Sequence, residues 1–239
     1  MAWFLTEPLL FITESFDINN MTMKKLSFSV LGLIVLLSSC MKEPKPAPVG
    51  EAKVRFTNTV SGSAPQDVYH NGKKMNIAAL VYGDVSAYQT ITSGSNFFGF
   101  TDRGSTVSNY EGGAGIEIGQ NFTVIYYANI DGSKNVGFLL DDMTAPPAGK
   151  AKVRFLHLNN FFPNHVTVAM QGGADLASVI PYANSSAYFN VNAGSVFEVK
   201  TAGLTTNAVI DVNIEAGKTY TIWLDGTATS MTGHAIFVN

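Results

Sequence analysis

At 239 residues the chain is long enough for one large domain or two small ones, each with its own core. Charged residues make up only 14 % of it, the formal net charge is −3, and Lys and Arg never run beyond pairs, which argues against a nucleic-acid binder. A single cysteine excludes an internal disulfide framework and any cysteine-based zinc cluster.

In chain order, residues 1–39 read as a non-mature N-terminus. The opening "MAWFLTEPLLFITESFDINN" carries acidic residues where a signal n-region has none. Met21 or Met23 gives a conventional start, so residues 1–20 are set aside from the fold. Lys24 and Lys25 then form a positive n-region, and Leu26 to Leu37 is apolar or small at every position. That run is about a dozen residues, short of the roughly 20 that a membrane-spanning helix needs, so it reads as a signal-peptide core. It closes in "LSSC", which resembles the bacterial lipobox. The resemblance implies cleavage before Cys40, a diacylglycerol on its sulfur, and an outer-membrane lipoprotein of the cell envelope. Each buried acyl methylene is worth about 0.8 kcal/mol, so two or more chains anchor stably.

Residues 40–51 follow as a lipidated tether, with three prolines in "MKEPKPAPVGE" and no apolar period. Lys42 and Glu43 resemble the short charged export tags of surface-exposed lipoproteins in Bacteroidota. Surface display is therefore expected, with a periplasm-facing protein as the alternative.

Beyond the tether the sequence repeats itself. "AKVRF" occurs at Ala52 to Phe56 and again at Ala151 to Phe155. "YGDVSAY" from Tyr82 aligns with "YANSSAY" from Tyr182, and "GQNFTVIYY" from Gly119 aligns with "GKTYTIWLD" from Gly217. Two modules, 52–140 and 151–239, are expected, with 141–150 as a linker by composition. Each reads as β. Apolar and polar residues alternate in "AKVRF", "VTV" (Val166 to Val168) and "VFEVK" (Val196 to Lys200). In "TYTIWL" Tyr220, Ile222 and Leu224 should face inward, Thr219 and Thr221 outward. Asn71-Gly72, Asp131-Gly132 and Asp225-Gly226 signal turns. The fold class is thus all-β: two tandem antiparallel β-sandwiches of immunoglobulin-like kind.

"AKVRFLHLNN" and "SAPQDVYHNGKKM" resemble the family catalogued as domain of unknown function 4397. Pro65, Asp67, Val68, Tyr69, Asn71 and Gly72 match its opening motif in the first copy, and Arg154, Phe155, His157 and Leu158 in the second. The second copy departs from it at "NNFFPNHVTV". The resemblance runs from Ala52 to Asn239 and implies an all-β secreted fold. It implies no activity.

No residue pattern argues for catalysis. His70, His157, His165 and His234 lack zinc-helix spacing and read as solvated or edge residues. Asp141 and Asp142, adjacent on a linker, should point apart into water. "GGAG" at Gly112 to Gly115 reads as a flexible loop rather than a phosphate cradle, and "NIDGSKN" from Asn129 as a hairpin turn rather than a calcium loop. No metal and no cofactor are expected. The best binding candidates are Phe161 and Phe162, aromatics in a polar loop closed by Pro163, whose alternative is to fold back onto a core. The expected function is non-catalytic ligand binding or adhesion toward a glycan or an envelope protein. A purely structural envelope component is the alternative, and a hydrolase or metal enzyme a third.

Overall fold

The computed structural model describes residues 48–75 and 78–239, so Cys40 and the signal segment lie outside the described residues. Those residues form sixteen strands and no helix. The first module holds β1 (Glu51–Asn58), β2 (Gln66–His70), β3 (Lys73–Lys74), β4 (Gln89–Thr92), β5 (Gly94–Asp102), β6 (Ser108–Ile116), β7 (Asn121–Ala128) and β8 (Lys134–Leu140). The second holds β9 (Lys150–His157), β10 (Val166–Met170), β11 (Asp175–Ile180), β12 (Phe189–Asn192), β13 (Phe197–Lys200), β14 (Ala208–Ile210), β15 (Thr219–Thr227) and β16 (Ser230–Phe237).

Four-stranded sheets in the orders β4-β1-β7-β8 and β3-β2-β5-β6 make the first sandwich. The orders β12-β9-β15-β16 and β11-β10-β13-β14 make the second, strand for strand. The ladders are antiparallel except for one parallel pair in each module, β1 with β7 and β9 with β15.

Alternation explains each core. Ala52, Val54 and Phe56 of β1 and Val124 and Tyr126 of β7 meet Val68 of β2 and Phe98 and Phe100 of β5. Ala151, Val153, Phe155, Ile222 and Leu224 meet Val166, Val168, Phe197 and Val199 in the same way. The opposite faces of β1, β7, β9 and β15 are not left to solvent. Ile125 packs there with Leu156, Leu158, Trp223 and Ile236 in a third cluster that joins the modules. Thr219 and Thr221 do face away from their core, as alternation requires, yet both are fully buried.

The repeated motifs meet at this junction. Arg55 Nε donates to Thr123 Oγ1 at 2.8 Å, and Arg154 Nε to Thr221 Oγ1 at 2.8 Å. Tyr88 and Tyr188, the ends of the two "SAY" motifs, cover the guanidiniums at 4.7 and 4.8 Å. Each arginine crosses to the last strand of the other module, Arg55 to the Phe237 carbonyl and Arg154 to the Leu140 carbonyl. Asp141 sits between them. It accepts from Arg154 at 2.7 Å, Thr123 at 2.6 Å and Tyr88 at 2.7 Å. Far from pointing into water, it is buried, because the two guanidiniums draw the carboxylate inward. Asp142 remains at the rim, on Lys152 Nζ at 2.8 Å.

Two local readings change and a third, the hairpin turn at "NIDGSKN", holds. "GGAG" lies within β6, where pairing with β5 outweighs the poor strand propensity of glycine. Asp225-Gly226 lies within β15, since β16 pairs on as far as Thr227 with Ser230 and the turn falls beyond. "NIDGSKN" forms the β7–β8 connection, where the Ser133 carbonyl accepts from Asn129 N at 2.7 Å.

Candidate functional site

The outer sheet of the first module carries the candidate site. Along β5, "GSNFFGFTD" sends Phe98 and Phe100 into the core, which leaves Phe97, Gly99 and Thr101 on the outer face. Register then sets a row across three strands, because Tyr69 of β2 and Glu111 of β6 both pair with Gly99. An aromatic ring and a carboxylate thus flank a position without a side chain. The next row places Thr101 opposite Ser108. Gly72 of the β2–β3 turn and Thr106 of the β5–β6 loop complete an open cleft of about 240 Å³.

Two observations set this cleft apart. The first is Gly99. Its φ is ordinary for a strand, and a Cβ there would meet Tyr110 O and Tyr69 Cβ at 3.8 Å and Glu111 Cβ at 3.9 Å, plain van der Waals distances. Neither backbone geometry nor packing requires glycine, and any larger side chain would fill the cleft. A strand-interior glycine of this kind accompanies a bulge, and the register does shift between Phe100 and Thr101, or leaves room for another molecule to approach the backbone. The second is Thr101, only 5 % exposed, whose Oγ1 has no hydrogen-bond partner among the described residues. Buried hydroxyls are seldom left so. Glu111 carries the only charge in the lining and is in no ion pair among the described residues. Next to the cleft, Phe97 is 51 % exposed and lays its ring over Gly113, extending an apolar floor.

The second module does not repeat this arrangement. Val68 pairs with Phe100, and Val168 with Val199. By that register Ala169, Glu198 and Lys200 stand where Tyr69, Gly99 and Thr101 stand in the first. A separate, more open hollow of about 460 Å³ lies there, lined by His165, Thr167, Lys200 and Asn207 among others. Its lysine is held by Asp175 at 2.8 Å.

The residues singled out in the sequence are scattered. Phe161 is exposed, whereas Phe162 is 4 % exposed and packs into the second core, with Gly203 closing over its ring. Phe162 is thus no open ligand contact, and neither residue lines the cleft. His157, read as solvated, is buried on β9. Its Nε2–H donates to the carbonyls of Phe162 at 2.9 Å and Asn164 at 3.0 Å, and Nδ1 has no partner among the described residues. Burial lowers its pKa, against the pull of those two carbonyls. His70 stacks on Phe98 at 5.0 Å. His234 stacks on Trp223 at 4.0 Å and binds Asp225 at 2.9 Å, where Tyr82 of the first module also donates. Among the described residues no three His, Cys, Asp or Glu side chains are placed to hold a metal.

Of the motif residues, Asp67 binds Lys74 Nζ at 2.6 Å and the Gly104 N–H at 2.9 Å, and Asn71 accepts from Phe97 N at 2.9 Å. They brace the frame, and Tyr69 faces the cleft. Gly99, Thr101 and Glu111 escaped the sequence reading. Their signal was the alternation Phe97-Gly99-Thr101 against Phe98-Phe100.

A family model described as Domain of unknown function (DUF4397) matches residues 52–167, and the chain resembles that family from β1 into β10. No curated protein matches the chain by sequence. Among solved structures, the CBMbc module (family CBM26) of Eubacterium rectale Amy13K in complex with maltoheptaose is similar at 12 % identity and TM-score 0.25, covering 78 % of this chain and 95 % of that one. A streptococcal virulence factor that binds alpha-glucan is similar at 10 % identity and TM-score 0.23, covering 76 % and 96 %. The Bacillus anthracis TIE protein is similar at 12 % identity and TM-score 0.24, covering 74 % of this chain and 34 % of that one.

Proposed function

We propose that this is a non-catalytic, lipid-anchored envelope protein that binds a glycan through the outer-sheet cleft of its first module. The observation that carries the reading is Gly99, an unforced glycine between Tyr69 and Glu111 that keeps a cleft open above a sheet. Aromatic face, hydroxyls and a single carboxylate at close quarters are the groups with which proteins hold sugar rings. Only one carboxylate lines the cleft, and glycoside hydrolysis needs two across the scissile bond, which supports binding without turnover. The lipobox-like "LSSC" supports the anchor on Cys40 and an outer-membrane location.

Two measurements test this. Cys40→Ala should move the protein out of the membrane fraction; retention there removes the anchor. The full chain applied to a glycan array should give reproducible signals that Gly99→Val abolishes while its melting temperature is held. A blank array, or signals indifferent to Gly99→Val, returns the protein to a structural role in envelope assembly.

A further inference from the structure

Resting on that reading, we infer that the cleft is selective for an uncharged pyranose ring, held as a single residue of a glycan, and that it rejects acidic sugars. Three features of the lining carry this. The first is charge. The lining is Tyr69, Gly72, Gly99, Thr101, Thr106, Ser108 and Glu111, with no Lys, Arg or His and one carboxylate. Lys74, the basic residue paired with Tyr69 across the β2–β3 turn, is held on Asp67 at 2.6 Å. A uronate or sialate would meet Glu111 as a like charge with no cation in the lining to offset it, Lys74 and Arg103 both lying against Asp67, and like charge is a recognised means of exclusion.

The second feature is hydrogen-bonding capacity. Thr106 and Ser108 present exposed hydroxyls to the cleft, and Glu111 on its wall is exposed and in no ion pair among the described residues. A sugar hydroxyl is donor and acceptor at once. It can accept from the Thr106 or Ser108 hydroxyl while a neighbouring hydroxyl donates to the Glu111 carboxylate. The third is size. At about 240 Å³ the cleft is smaller than the roughly 300 Å³ at which pockets for drug-sized ligands begin, room for about one ring inside it, and because it is open the rest of a chain lies outside. With Gly99 as floor, that ring reaches the sheet backbone and sets an apolar face against Tyr69. Phe97, exposed on the same strand, can contact the next residue outward.

The test is a competition titration on the full chain, wild type and variants, with neutral oligosaccharides and matched uronic-acid and sialylated oligosaccharides as probes. Neutral probes should bind, and acidic probes should bind at least about tenfold more weakly. Glu111→Gln should weaken neutral binding by about tenfold, as loss of a charge-assisted bond does, and narrow the gap to acidic probes. Gly99→Val should abolish both with an unchanged melting temperature. If acidic probes bind as tightly as neutral ones and remain sensitive to Gly99→Val, the charge selectivity is wrong and the cleft stands. If no probe binds, or Gly99→Val changes nothing, the glycan cleft itself is wrong and the selectivity falls with it.

Discussion

Thr101 lines the cleft, yet its hydroxyl oxygen is shut off from solvent and has no hydrogen-bond partner among the described residues. Leaving such an atom unmade costs about 1–3 kcal/mol, so Thr101→Val, which keeps the shape and removes the hydroxyl, should stabilise the fold by about 1 kcal/mol. The same change should leave ligand binding unaltered, because the hydroxyl it removes is closed to the cleft. Chemical denaturation and a binding titration on one preparation check both. A variant less stable than wild type would mean the hydroxyl does structural work. Thr101 also shows how residue roles hide in sequence. The motif residues Asp67 and Asn71 were prominent, yet they hold Lys74, Gly104 and Phe97 in place. Tyr69 and Gly72 of that motif do line the cleft, but Gly99, Thr101 and Glu111, which shape it with them, have no motif around them. Only register across β2, β5 and β6 assembles them.

The loop between β9 and β10 shows the same limit for an element. "NNFFPN" reads as two equivalent aromatics, but the chain turns Phe162 into the core and Phe161 out to 56 % exposure. Phe162→Ala should cost about 3–5 kcal/mol, as buried Phe truncations do. Phe161→Ala, a surface change, should stay within about 0.5 kcal/mol. Denaturant midpoints decide it, and equal losses would place both rings in the core. His157 pins this loop through two carbonyls in its neutral form. Its folded pKa lies below the unfolded value, so the neutral form stabilises the fold above pH of about 6.5, and that contribution is lost as pH falls through the lowered value. Wild type should therefore lose more stability between pH 7.5 and 5.5 than His157→Gln, in urea melts at both pH values. Inward-facing alternation was readable in β1, β9 and β15 because one face is apolar. The burial of their other faces was not, because those faces are built from Arg55, Thr123, Arg154 and Thr221, which look solvated until a second module covers them. The glycines of β6 likewise imitate a loop until β5 pairs with them.

Across the whole molecule the two modules meet through reciprocal arginine contacts, and the residue after the last strand of each breaks the match. Phe122 pairs with Leu140 as Tyr220 pairs with Phe237, so Asp141 in the first copy corresponds to Val238 in the second. Both arginines therefore depend on a single carboxylate. Arg154 holds it at 2.7 Å, while Arg55 Nη2 stands 3.6 Å away and lacks a hydrogen-bond partner among the described residues. Burial, with Asp141 beside it, pushes the Tyr88 hydroxyl pKa up, so Tyr88 stays a neutral donor to that carboxylate. Removing the carboxylate leaves two buried guanidiniums facing each other, and breaking a buried pair from one side costs about 3–5 kcal/mol. Asp141→Asn should lose that much in denaturation. The loss should fall on the junction, exposing Trp223 and shifting its emission to the red before the strands unfold. Val238→Asp added to Asp141→Asn places a carboxylate at the corresponding position of the second copy and should recover part of the stability. Full independence of the two changes would show that Arg55 and Arg154 do not share their counter-charge. Recovery would show that the repeated "AKVRF" arginines are what lock the duplicated sandwiches into one body.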